Sequence, residues 1–164
     1  MKQQIKKIDP LTQIAPLIEV VQIMDIRLVE ASVGTSIRSA NEAGEVDLTI
    51  RRSADVKEYN KDACMFWVLV KIKTELIQRE PKKGAAVFVN VVFEIKYSLP
   101  KELEVSQEQL NTFAKINSVF NAWPYWREFV QSMVARMNLP PLTLPMFRFG
   151  NATKVRRKKP TEIQ

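Results

Sequence analysis

Apolar and polar positions alternate cleanly in three stretches of the chain and change phase in a fourth. From Glu45 to Arg51, Val46, Leu48 and Ile50 fall on one side and Glu45, Asp47, Thr49 and Arg51 on the other. That is the period of a half-buried antiparallel strand. After a polar stretch, residues 53–63, a further strand is predicted over Cys64–Ile77, with Phe66, Val68, Val70, Ile72 and Leu76 on its apolar face. Its opposite face starts with Trp67 and Leu69 and turns charged at Lys71, Lys73 and Glu75. Pro81 and Gly84 mark a turn, and Val87–Leu99 then carries every odd-numbered residue, Val87 to Leu99, on one apolar face. The other face reads Phe88, Asn90, Val92, Glu94, Lys96 and Ser98. In Glu19–Val33, Val21 and Ile23 share one face and Met24, Ile26 and Leu28 the other, a slip that a bulge reconciles. Residues 1–18, punctuated by Pro10 and Pro16, read as an irregular lead-in.

The pattern changes period after Pro100. Ser106 and Gln109 match a capping box, in which each satisfies an orphan amide of the other, and Leu110, Phe113, Ala114, Asn117 and Phe120 follow at helical spacing. Pro124 suits the first turn of a new helix or a kink, because it lacks only an amide hydrogen that is unpaired there. Along this next helix Tyr125, Phe129 and Met133 form one apolar line, and Trp126, Val130, Val134 and Met137 another. Nearly half of the cylinder is apolar, which implies contact with more than one sheet face. Pro140, Pro141 and Pro145 end the helix and hold the next segment extended. Four antiparallel strands followed by helices make an α+β fold, one domain over residues 19–147.

Composition removes many chemistries. The 164 residues contain no histidine and one cysteine, Cys64. Imidazole-assisted nucleophiles, His-containing metal sites and internal disulfides are thereby excluded, and Cys64 reads as a small buried hydrophobe. The four glycines lie too far apart for a phosphate-cradling loop. No cofactor, metal ligand or catalytic residue can be nominated, so the expectation is a protein that is not an enzyme. No apolar run approaches the ~20 residues that span a bilayer, and the expected location is cytoplasmic, without membrane insertion. The formal charge of +7 is concentrated in residues 148–164, where Arg148, Lys154, Arg156, Arg157, Lys158 and Lys159 face only Glu162. This basic, flexible tail offers docking to an acidic partner or nucleic acid; an acidic-partner- or nucleic-acid-binding module acting through it is the alternative function.

Several apolar residues admit two readings. Trp67, Leu69, Phe88 and Val92 either line a groove for extended apolar polypeptide or are covered by another sheet or subunit. Leu142, Leu144, Met146 and Phe147 either border the same groove or pack down as the end of the fold. Trp123, Tyr125 and Trp126 serve as subunit anchors or as core, and Arg127, beside Glu128, fits subunit pairing better than chemistry, since no third group orients the pair.

One stretch carries a specific resemblance. Trp123, Pro124, Tyr125, Arg127 and Glu128, then Ser132, Met133, Val134 and Arg136, then Leu139, Pro140, Leu142 and Leu144 are similar to the C-terminal helix signature of the SecB-type export chaperones. The resemblance implies a four-stranded antiparallel sheet packed on a long C-terminal helix, and a homotetramer, a dimer of dimers. Its helix would pair subunits, here through Trp123, Tyr125, Trp126, Arg127, Phe129, Val130 and Met133. It further implies a chaperone that holds unfolded polypeptide in apolar grooves without ATP. The client is either preproteins for export, with the translocase motor as partner, or a dedicated client such as the antitoxin of a toxin-antitoxin system. Glu30 matches one acid of the family's motor-docking surface, but Asn90 stands where another acid is expected and the tail has the opposite charge.

Overall fold

The computed structural model describes residues 9–38, 42, 44–79 and 85–147, together with the backbone of Val155–Arg156. Helix α1 (Pro10–Val20) leads into strands β1 (Gln22–Thr35), β2 (Val46–Asn60), β3 (Met65–Gln78) and β4 (Ala85–Ser98). A helical run follows without a break: α2 (Gln107–Phe113), a wide π turn (Ala114–Ser118) and α3 (Val119–Arg136). The two-residue β5 (Val155–Arg156) pairs with β2, giving the antiparallel order β1-β4-β3-β2-β5.

The alternation of β3 and β4 is realised directly. Phe66, Val68, Val70 and Ile72 of β3, and Val87, Val89, Val91, Ile95 and Tyr97 of β4, are all buried beneath the helices. Phe66 stacks on Tyr97 with ring centroids 4.9 Å apart, and Phe113 meets both rings edge-on. Burial pushes the Tyr97 phenol up to about 12. Each of these apolar side chains contributes roughly 1.5–3 kcal/mol by leaving water, so the inner face of this sheet holds the helices in place.

Four expectations need correction. The lead-in is not irregular throughout: Pro10–Val20 is helical, with Ile14 and Leu17 buried, because Pro10 stands in the first turn, where its missing amide costs nothing. The polar stretch after Arg51 does not end β2, which runs on to Asn60 with Ala54 buried and Val56 half-buried. Cross-strand pairing with β3 overrides the polar composition there. Cys64 is a half-buried turn residue with φ 51°, not a core hydrophobe. Pro124 neither starts a helix nor separates two; it lies inside α3, downstream of the π turn. The extra residue of that turn shifts the helix phase. Ser118 and Val119 therefore point inward while Phe120, in phase with Leu110 and Phe113 by sequence, points out.

The bulge expected in the first strand occurs, twice. The β1–β4 register slips between Ile23 and Asp25 and again between Leu28 and Glu30, so Ile23, Ile26 and Leu28 all oppose inner-face residues of β4. The expected capping box is present, with Ser106 Oγ accepting from the Gln109 amide at 3.2 Å and Gln109 Oε1 accepting from the Ser106 amide at 3.0 Å. Helix α3 ends in a Schellman motif: the Leu139 amide donates to Val134 O at 3.2 Å, and Asn138 takes φ 55°.

Candidate functional site

Helix α3 divides its apolar residues between the sheet and its two flanks. Trp126, Val130 and Val134 are buried against the sheet, and the Trp126 indole donates to Thr74 Oγ1 at 2.9 Å. Trp123 lies against Trp126 at 4.3 Å and is also buried. Of the seven residues expected to pair subunits, Trp123, Trp126 and Val130 are therefore core of the chain itself. Tyr125, half exposed, and the half-buried Phe129 and Met133 form the outward line, with Arg127 on the other side of the helix.

On the flank toward β1, the Tyr125 ring reaches Phe93 of β4 at 6.4 Å, and beyond it the inner face of β1 has little cover. Ile23 and Leu28, on that face, are 47% and 42% exposed. An edge strand and a helix line thus present apolar surface side by side.

On the flank toward β2, the segment after α3 folds back along the helix. The Trp123 indole donates to Pro145 O at 3.1 Å, which pins this strap. Leu142 and Leu144 are buried beneath it, so neither offers surface to a ligand in this conformation, in contrast to the groove role expected of them. Phe147 packs edge-on against Phe120 at 5.6 Å and Trp123 at 5.3 Å, and the Arg52 guanidinium from β2 covers the Phe147 ring at 4.8 Å. Burial holds Arg52 below its ordinary value. Phe120 and Met146 remain largely open, Met146 at 70% exposure. Arg127 Nη1 approaches Met146 Sδ at 3.3 Å, while its Nε is buried without a hydrogen-bond partner. The result is an aromatic and thioether surface with an orphan donor at its margin. Neither Phe120 nor Arg52 stands out in the sequence: the π turn hides Phe120, and Arg52 has the pattern of an ordinary strand cation.

The outer sheet face is built differently. Glu94 is buried at its centre, holding Arg27 of β1 at 2.5 Å and Lys57 of β2 at 2.5 Å. The Lys57 hydrogen bond, opposed by burial and supported by Arg27, keeps the Glu94 carboxyl below its ordinary range. Trp67 lies under Lys96, whose ammonium is 5.4 Å from the ring. Phe88 is laid across Gly34, where an added Cβ would meet the ring at 2.4 Å. Trp67, Leu69, Phe88 and Val92 are half-buried and oppose Glu58, Glu94, Glu75 and Lys71 in neighbouring strands, so they form no continuous apolar patch. Glu30 is exposed on the same face, opposite Val92. Of the tail, Lys154, Arg157, Lys158 and Lys159 lie outside the described residues; the Arg156 backbone pairs with Asp47. Among the described residues there is no cluster of metal-ligating side chains and no helix long and apolar enough to cross a membrane.

No family model and no curated protein matches the sequence. Among solved structures, the chain is similar to the Mycobacterium tuberculosis Rv1957 SecB-like chaperone in complex with a ChAD peptide from Rv1956 HigA1 antitoxin. The TM-score is 0.73 at 22% identity, over 85% of this chain and 99% of that one. A protein of unknown function from Streptococcus agalactiae aligns with TM-score 0.43 at 10% identity, over 77% of this chain and 97% of that one. The chain therefore has the SecB-like fold: an α+β arrangement of four antiparallel strands and a long C-terminal helix.

Proposed function

We propose that this protein is a cytoplasmic, non-catalytic chaperone that holds unfolded or partly folded polypeptide on apolar surface without ATP. The observation that carries the reading is the open flank of α3 toward β2, where Phe120, Met146 and Phe147 stand beside the orphan Arg127 Nε on a SecB-like fold. Aromatic and thioether surface accepts varied apolar side chains. The half-buried Trp67, Leu69, Phe88 and Val92 add isolated apolar contacts on the outer face.

The other flank supports assembly. Tyr125, Phe129 and Met133 beside Ile23 and Leu28 form an apolar surface suited to another copy of the chain, and a tetramer follows if two such pairs associate. A dedicated antitoxin client is favoured over broad export traffic, because the solved SecB-like chaperone holds an antitoxin peptide.

The test is suppression of aggregation of a chemically unfolded client in the absence of nucleotide. The wild-type chain is expected to suppress it, and Phe120→Ser with Met146→Ser to lose most of the effect while keeping the far-ultraviolet circular dichroism. Undiminished suppression by that variant would remove the flank from the proposal. Suppression lost on neutralising the tail alone would favour the tail-mediated module instead.

A further inference from the structure

We infer that the outer sheet face carries a separate docking site, for an extended acidic segment of a partner protein, centred on Lys71 and Lys73. These two lysines lie two residues apart on β3, exposed, on one wall of a cleft of about 370 Å³ that Glu30, Ser32 and Asn90 also line.

The other described cations of this face already have partners. Glu94 holds Arg27 and Lys57, Glu75 holds Arg51 at 3.6 Å, and Asp47 and Glu45 both hold Arg79. Lys96 covers Trp67. Lys71 and Lys73 make no hydrogen bond or ion pair with any described residue. Their strand neighbours worsen this: Lys73 is registered directly opposite Arg51, and Lys71 opposite Ser53 and Val92. Like charges placed opposite each other in a sheet are destabilising, so the fold keeps a cost here that an external anion would relieve.

Geometry selects the kind of anion. Residues two apart on a strand stand roughly 7 Å apart on one face, which is also the repeat of alternate side chains in an extended ligand. A segment with acids at alternate positions would set one carboxylate against each ammonium. Glu30 on the opposing wall disfavours a bare phosphate or a polyanionic nucleic-acid strand, and it accepts from the backbone amide or a basic side chain of a polypeptide. The Asn90 carboxamide and Ser32 hydroxyl satisfy main-chain groups between them. This site does not depend on the client-holding flank, which lies on the helix side of the sheet.

The experiment uses the full chain with Lys154, Arg156, Arg157, Lys158 and Lys159 changed to serine, so that the tail does not compete. The probe is a fluorescent peptide with a Glu-Ser-Glu core, and its control replaces both glutamates by glutamine. Carbodiimide coupling followed by mass spectrometry is expected to join the glutamate peptide to Lys71 and Lys73. K71Q with K73Q is expected to weaken binding roughly fivefold, the scale of two exposed ion pairs, with an unfolding midpoint slightly above that of the wild type, because the Lys73–Arg51 repulsion is removed, and with unchanged aggregation suppression. Coupling confined to other lysines, equal binding of the glutamine peptide, or stronger binding of oligothymidylate in competition with the probe would each overturn the proposal. Coupling to Lys71 and Lys73 supports it even if the double variant folds poorly.

Discussion

Strands β1 and β4 lie side by side, pair along most of their length and both carry apolar residues, fewer in β1, yet β4 is almost wholly buried on its inner face while β1 is exposed along most of its length. The difference is position. Strand β4 has a neighbour on each side and helices above it, whereas β1 is an edge that α3 does not reach beyond Tyr125. Hydrophobicity in β4 therefore maintains the fold of one chain, and hydrophobicity in β1 is available to another. A residue's apolar character says that it will be covered, but not by what.

The largest expected effect strikes the side of β4. Trp126→Ala removes a fully buried ring and leaves Thr74 without its donor, and is expected to cost about 3–5 kcal/mol in urea unfolding. If the loss is much smaller, the helices are not anchored through this face. Gly34→Ala tests the seam between the two strands, because the new Cβ must displace the Phe88 ring; overpacking of this kind costs about 1–3 kcal/mol. A wild-type midpoint would show that the ring is free to swing away.

Glu94→Gln tests the electrostatic link from β1 through β4 to β2. Arg27 and Lys57 are exposed enough to rehydrate, so the expected loss is about 1 kcal/mol. Since the folded-state carboxyl titrates below its unfolded value, its contribution is complete above roughly pH 4.3 and is lost as pH falls through the lower, folded value. Denaturation midpoints measured from neutral to acid pH should fall less steeply in the variant. Smallest in stability, and most informative about β1, is Leu28→Asp. A half-exposed edge residue should change folding stability by no more than about 0.5 kcal/mol. If β1 pairs subunits, light scattering will show a lower mass with unaltered circular dichroism; an unchanged mass would return β1 to the role of an ordinary edge.

The same contrast explains what is legible in the sequence. In β3 and β4 alternation is enforced by burial, so Phe66 through Ile72 and Val87 through Tyr97 are readable residue by residue, as is the Ser106 capping box. In β2 the outer half, Ser53–Asn60, carries polar residues because the edge beyond is solvated, and no local pattern announces a strand there. The phase of the helix is hidden because a π turn leaves no compositional trace, which conceals Phe120; Trp123, Trp126 and Val130 are assigned to subunit pairing by the resemblance, whereas their burial makes them core. The outer face is harder still. Lys71 and Lys73 have the pattern of solvated charges, and only the register, which sets Arg51 opposite Lys73 while Arg27 and Lys57 are consumed by Glu94, distinguishes them.

The two bulges of β1 bear on how copies of this chain can meet. A flat apolar edge would invite another chain to extend the ladder, and then one more, with no step at which growth stops. Slips at Met24 and Val29 interrupt the row of free backbone groups, so strand addition along that edge cannot keep its register. A second copy would then have to meet the chain on its faces, where a two-fold arrangement uses the same patch on both partners and is complete once made. Two extra residues in one strand would thereby favour closed assembly over open-ended polymerisation.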